Sequence, residues 1–145
     1  MTNPEYAALI DNLINEGYLK TPSIIEGFKA IDRADFVTDE HKNEAYVNAP
    51  LPIGFKQTIS QPLTVAFMIE LLSPKEGKKI LEIGSGSGWQ TAILSFIVGQ
   101  NNAAGKIISI ERIPELKEMA EKNVAKHGFI ENGVAQVILA DGSRG

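Results

Sequence analysis

The stretch Leu81-Glu-Ile-Gly-Ser-Gly-Ser-Gly-Trp89 carries three glycines at alternate positions, directly after an apolar run. Lys79-Ile-Leu-Glu-Ile83 reads as a short strand and Gln90 to Val98 as a helix, so the glycines sit at a strand-to-helix turn. Small residues there let the chain turn tightly and let a ligand approach the backbone. The N-terminus of the following helix adds a partial positive charge. A plain turn needs fewer glycines. Spacing narrows the ligand further. The dinucleotide fingerprint G-x-G-x-x-G has its third glycine three residues after the second. Gly84, Gly86 and Gly88 give G-x-G-x-G instead, and Trp89 stands where that fingerprint needs Gly or Ala. An indole there would crowd a pyrophosphate. Its expected place is the core behind the loop.

Toward the C-terminus, Lys106-Ile-Ile-Ser-Ile-Glu111 is a second strand. Pro114 to Lys126 is a helix with Leu116, Met119, Ala120 and Val124 inward and Gly128 as its stop, and Gln136 to Ala140 is a third strand ending at Asp141-Gly142. Strand, helix, strand, helix, strand is a βαβαβ unit, so the fold class is α/β with a Rossmann-like parallel sheet. The near-continuous apolar strands predict a sheet covered on both faces. Glu111 closes the second strand, where an acid can accept both hydroxyls of a ribose. Asp141 closes the third and can accept from an adenine amino group. For each, the plainer alternative is a surface acid or a helix cap. These positions lie at carboxyl ends of parallel strands, where open α/β sheets bind ligands.

Toward the N-terminus, helical spacing appears over residues 4–16 and 22–31, each led by a proline, and over 61–72, with Pro62 in the first turn and Ser60 as N-cap. Tyr46-Val-Asn-Ala-Pro-Leu-Pro-Ile-Gly-Phe55 has two prolines and a glycine, which excludes helix and predicts extended chain crossing a surface. The chain thus divides into an N-terminal helical segment, 1–75, and a βαβαβ segment, 76–145.

At 145 residues there is room for one domain. Apolar residues at 43% suffice for a core, and a net charge of −4 argues against sequence-independent nucleic-acid binding. The lack of cysteine excludes disulfides and thiol nucleophiles, and two histidines are too few for a His-rich metal site. His41 is expected in solvent and His127 near a helix C-terminus, with no catalytic role for either. The N-terminus lacks the basic start of a signal peptide, and Ala92 to Val98 is far short of the ~20 residues that span a bilayer. The expectation is a cytoplasmic monomer with no metal and no nucleic-acid or membrane partner.

The pattern E-x-G-x-G-x-G from Glu82 to Gly88 resembles the first motif of Rossmann-like S-adenosylmethionine-dependent methyltransferases. Three stretches upstream sharpen this: Arg33-Ala-Asp-Phe-Val37, Ala45-Tyr-Val-Asn-Ala-Pro-Leu-Pro-Ile-Gly54 and Gln57-Thr-Ile-Ser-Gln-Pro62. In that order they resemble the protein-L-isoaspartate O-methyltransferases, from about Ile24 to the end. The resemblance implies methyl transfer from S-adenosyl-L-methionine to the free α-carboxylate of isoaspartyl residues in damaged proteins and peptides. It implies Ser60 near the transferred methyl. Cofactor contacts would come from Ile59, Ser60, Glu82, Gly84, Ser85, Gly86, Ser87, Gly88, Glu111, Asp141 and Gly142. The peptide side would include Ala45, Tyr46, Pro52, Ile53, Gly54 and Thr58.

Family members continue beyond a third strand, and the usual strand order sets a later strand beside the first. Here the first strand is expected to be an open apolar edge, the C-terminal half of the family fold to be missing, and the chain to be a fragment or truncated product. Two other readings stand beside the repair enzyme. One is a cofactor-binding fragment without turnover. The other is a nicotinamide-dependent oxidoreductase fragment sharing the βαβ half.

Overall fold

The structure, a computed structural model, describes residues 2–145. Helices α1 (Pro4–Asn15) and α2 (Pro22–Ala30) open the chain. A hairpin of β1 (Leu51–Gly54) and β2 (Gln57–Ile59) and the helix α3 (Pro62–Leu72) follow. The C-terminal part is β3 (Lys79–Ile83), α4 (Trp89–Val98), β4 (Lys106–Glu111), α5 (Pro114–Ala125) and β5 (Ala135–Leu139). Short 3-10 turns lie between these elements.

The strands β3, β4 and β5 form a parallel sheet in that order, with Glu82 beside Ser109 and Ile83 beside Ile110. Two right-handed crossovers that step in the same direction put α4 and α5 on the same face. That face buries Ile107, Ser109, Ala135 and Val137. The expected cover on both faces is therefore corrected. On the other face Leu81 and Ile83 are 65% and 61% exposed, and Ile108, Ile110 and Ile138 beside them are half-buried. The apolar character of these strands serves two faces, of which α4 and α5 cover one. Among the described residues β3 pairs with β4 alone, which leaves it at the edge of the sheet as expected.

The N-terminal helices are fastened to α4. Tyr6 donates to the carbonyls of Phe28, at 2.6 Å, and Ile31, at 2.7 Å, tying α1 to the end of α2. Burial and the nearby Asp32 carboxylate push its phenol up, so it stays a donor. Gly27 lets α2 approach α4, since a side chain there would meet Ile97 Cγ1 at 3.1 Å. Trp89 sits in this interface as expected, 2% exposed, edge-on to Phe28 and donating to Ile31 O at 3.2 Å.

Three local expectations change. Residues 46–55 do not simply cross a surface: Leu51 and Ile53 are buried, and the strand pairs antiparallel with β2. Alternation within Leu51-Pro-Ile-Gly54 hides the apolar side chains and leaves the prolyl ring outside. Ser60 is not the N-cap of α3. Gln61 holds that position without a side-chain bond, and Asn48 Oδ1 instead accepts from Leu63 N at 3.0 Å. His41 is partly covered rather than free in solvent, with Nδ1 2.8 Å from Glu44 Oε2. His127 stacks against Phe36 and Phe129 beyond the end of α5.

Candidate functional site

The site lies along the carboxyl ends of β3, β4 and β5. Gly84 leaves β3 at φ +86° with nothing within 4 Å of where a Cβ would sit, so a ligand has access to its backbone. On one side of it is a cavity of about 90 Å³ lined by Thr58, Ile59, Ser60, Glu82, Gly84 to Ser87 and Gln90, among others. On the other is a cavity of about 300 Å³ reached by Gln57, Glu111, Arg112, Asp141, Gly142 and Ser143. Gly84 lines both. Most of the predicted cofactor contacts therefore converge on two cavities that share one residue.

Glu111 is 6% exposed and works from the end of β4. Its Oε1 accepts from Gly86 N at 3.0 Å and its Oε2 from Ile113 N at 3.1 Å. Each carboxylate oxygen keeps a lone pair for a further donor. The hydroxyls of Ser85 and Ser87 are buried with no partner among the described residues. Unsatisfied buried hydroxyls are costly unless a ligand or water completes them. Ser60 also lines the smaller cavity; its side chain makes no hydrogen bond among the described residues, and its carbonyl accepts from Arg33 Nη2 at 3.0 Å.

Glu82 is buried inside a bracket of donors. Ser109 Oγ reaches its Oε1 at 2.6 Å, Thr91 Oγ1 donates to the same oxygen, and Gln90 Nε2 reaches Oε2 at 3.0 Å. Burial pushes its carboxyl up, while these bonds and the nearby Glu111 charge act in opposite directions. It braces β3 against β4 and α4. Sequence reasoning missed its partners, although Ser109 is visible as the one hydroxyl in an isoleucine-rich strand. Arg112 was also missed, because nothing in its local sequence marks it, and Gln57, which opens the Gln57–Pro62 stretch, was given no cofactor contact; only the fold brings both to the larger cavity.

Asp141 is exposed and caps the short turn Gly142–Arg144, accepting from Ser143 N at 2.9 Å and Ser143 Oγ at 2.7 Å. The Ser143 bonds, the side-chain bond foremost, hold its carboxyl below the usual range. It is thus a cap and also a cavity residue. Gly142 packs on Ile83, whose Cγ2 would lie 2.9 Å from an added Cβ. Gly88 lines neither cavity. At φ +98° it brings the start of α4 against α5, where an added Cβ would meet Val124 Cγ2 at 2.9 Å.

The peptide-side candidates divide in the same way. Thr58 lines the smaller cavity, and Pro52 and Gly54 are exposed on β1. Ile53 is buried beneath the loop, 3.6 Å from the Cβ direction of Gly86. Ala45 is buried and gives its carbonyl to Arg33. Tyr46 donates its hydroxyl to Asp32, at 2.9 Å to Oδ1, and its ring lies 5.3 Å from that of Tyr6. Ala45, Tyr46 and Ile53 support the wall rather than face the cavities. Among the described residues no group of acids and histidines is arranged to hold a metal, and no helix is long and apolar enough to cross a membrane.

The family model for protein-L-isoaspartate(D-aspartate) O-methyltransferase (PCMT) matches residues 4–145. The chain belongs to this family. A protein-L-isoaspartate O-methyltransferase of Methanococcus aeolicus is 42% identical over all of this chain and 64% of its own length. Protein-L-isoaspartate O-methyltransferase 2 of Archaeoglobus fulgidus is 48% identical over 84% of this chain and 53% of its own. The chain therefore spans about three-fifths of the length of the curated relatives it matches, as with the Methanopyrus kandleri enzyme at 58%. Among solved structures, a Plasmodium falciparum PCMT crystallised with S-adenosyl-L-homocysteine superposes with a TM-score of 0.83 at 22% identity, covering 95% of this chain and 63% of that one. A further solved protein-L-isoaspartate O-methyltransferase superposes at 0.80 with 27% identity, over 94% of this chain and 42% of that one. The Rossmann-like fold of the methyltransferases is thus the fold of this chain.

Proposed function

We propose that this chain is the cofactor-binding and substrate-facing part of a protein-repair methyltransferase. Its methyl donor is S-adenosyl-L-methionine, and its acceptor is the free α-carboxylate of L-isoaspartyl residues in damaged proteins and peptides. The neighbouring backbone amide nitrogen then attacks the ester carbonyl and expels methanol, and water can reopen the resulting succinimide to normal aspartate. One observation carries this reading: two cavities meet at Gly84, with unpartnered Ser85 and Ser87 hydroxyls beside one and Glu111 and Asp141 at the other. The ligand of the Plasmodium falciparum relative supports the same choice of cofactor.

When bound, S-adenosylmethionine supplies a methyl already activated on a sulfonium. The residues therefore have to align and to exclude water. In this reading Gly84 and Gly86 offer close backbone, Glu111 accepts from the ribose, and Asp141 and Gly142 hold the adenine. Ile59, Ser85 and Ser87 complete the wall. Glu82, within the lining, and Gly88, behind it, set the geometry of that wall. The acceptor carboxylate is ionised at neutral pH, so no strong general base is required. Ser60 orients it as a neutral donor. The nicotinamide reading is not favoured, since the chain belongs to a methyltransferase family and Trp89 is locked in the core.

The deciding experiment is methyl transfer from labelled S-adenosylmethionine to matched peptides, one isoaspartyl and one aspartyl. Labelling of the isoaspartyl peptide alone is expected. Stabilisation by S-adenosylhomocysteine without labelling would reduce the function to cofactor binding. Stabilisation by NAD alone would overturn the assignment.

A further inference from the structure

Arg33 is 0% exposed and lies between the peptide-side stretch and the helix that follows the glycine loop. Its guanidinium donates to four backbone carbonyls. Nη1 reaches Ala45 O and Val47 O, each at 3.0 Å, and Nη2 reaches Ala49 O at 2.8 Å and Ser60 O at 3.0 Å. The acceptors span residues 45–60, the same stretch that carries β1, β2 and Ser60. The guanidinium carbon lies 5.4 Å from the ring centroid of Trp89, the first residue of α4. Among the described residues no carboxylate lies within ion-pair distance of Arg33.

A buried cation without a counter-charge is expensive. Burial lowers the Arg33 pKa to about 10, so it stays charged at neutral pH. The four carbonyl dipoles and the indole face supply the compensation. Only a planar, five-donor group serves carbonyls in several directions at once. Simple packing would be met as well by an apolar side chain. Arg33 lines neither cavity, whereas Thr58, Ile59 and Ser60 form part of the smaller one.

We propose that Arg33 is a positioning residue: it holds residues 45–60, and with them the Thr58–Ser60 wall, in register with the glycine loop without touching the ligand. This deepens the cofactor-site reading and rests on it. A residue that merely fills the core would affect the whole fold evenly.

The test compares the full chain with Arg33→Lys and Arg33→Met in three measurements. These are S-adenosylhomocysteine affinity by calorimetry, amide hydrogen exchange by segment, and the fluorescence of Trp89, the sole tryptophan. Both variants are expected to keep the exchange protection of β4 and α5. Residues 45–60 should exchange about tenfold faster and affinity should fall about tenfold, as for lost charge-assisted bonds. The emission of Trp89 should shift in both variants. Arg33→Lys should recover part of the affinity, and added guanidinium ion at millimolar levels should recover part in Arg33→Met, where sodium chloride does not. Unchanged affinity, or protection lost evenly across β4, α5 and residues 45–60, would overturn the proposal. If Arg33→Met fails to fold, Arg33→Lys decides by the same readouts. If the unsubstituted chain binds no S-adenosylhomocysteine, the cofactor reading falls. The exchange pattern then still decides: acceleration confined to 45–60 upholds the positioning role, and any other pattern ends it.

Discussion

Glu111 reaches back from the end of β4 and accepts the Gly86 amide hydrogen at 3.0 Å, so the acid proposed to hold the ribose also shapes the glycine loop. Its other oxygen holds Ile113 N at 3.1 Å. A glutamine retains one acceptor and must turn its amide nitrogen toward one of these N–H groups. Glu111→Gln should therefore weaken S-adenosylhomocysteine binding by ~1.5–3 kcal/mol, the range for bonds to a charged group. Calorimetry measures this. Unchanged affinity would place the ribose elsewhere.

Ser60 makes no side-chain hydrogen bond among the described residues and does not cap α3, so its hydroxyl is not needed for folding. Ser60→Ala should leave the melting temperature unchanged and lower kcat by about tenfold or more through lost alignment. Affinity for S-adenosylhomocysteine should fall much less. Equal losses in both would make Ser60 chiefly a part of the cofactor wall.

Ser87 is 2% exposed with an unpartnered hydroxyl. Removing an unsatisfied buried donor relieves its desolvation cost. Ser87→Ala should stabilise the ligand-free protein, by up to about 1 kcal/mol, while weakening S-adenosylhomocysteine binding by a similar amount. Thermal melts with and without ligand test the pair of effects, which must have opposite signs.

Two loop glycines separate ligand access from packing. Gly88→Ala meets Val124 Cγ2 at 2.9 Å and Ala120 O at 3.1 Å. It should cost stability by about 2–4 kcal/mol from overpacking and positive φ together. Gly84→Ala meets nothing within 4 Å and carries only the conformational cost of φ +86°, about 1–2 kcal/mol. Chemical denaturation of the two variants should rank them in that order, while cofactor affinity should fall more for Gly84→Ala.

Two glutamates give opposite pH dependences. Burial raises the Glu82 pKa above its ordinary 4.5. Its contribution to stability is therefore greatest below that value and declines as pH rises through the folded-state pKa. For Glu70 burial acts upward, but bonds from Thr21 and Lys20 win and lower the pKa below 4.5. Its contribution is present above that value and is lost as pH falls through the folded-state pKa. Relative to the parent, Glu82→Gln should gain as pH rises from 4.5, and Glu70→Gln should become less deleterious as pH falls below it. Melting temperatures from acid to neutral pH check both signs.

Much of the site was readable because its residues follow strand ends. Glu111 closes β4, Gly84 directly follows β3 and Asp141 lies two residues past β5, and parallel strands bring their carboxyl ends together. What escaped was the division of labour inside the motifs. Gly88 and Gly84 look alike in sequence, yet one is pressed against α5 and the other opens to a cavity. Asp141 reads in sequence as either a cap or a ligand; in the structure it caps the Gly142–Arg144 turn and also lines the larger cavity. Tyr46 lies in a family motif but commits its hydroxyl to Asp32.

The sequence by itself determined the βαβαβ order, the ligand end of the sheet and the family. Those properties are written in local periodicity, in glycine spacing and in short contiguous motifs. Only the tertiary structure decided that α4 and α5 share one face, because crossover direction is a property of strand order and not of any strand. It alone brought Arg33 to Ala45, Val47, Ala49 and Ser60. A buried charge chooses its partners from the backbone around it, and backbone carbonyls leave no mark in the amino-acid sequence.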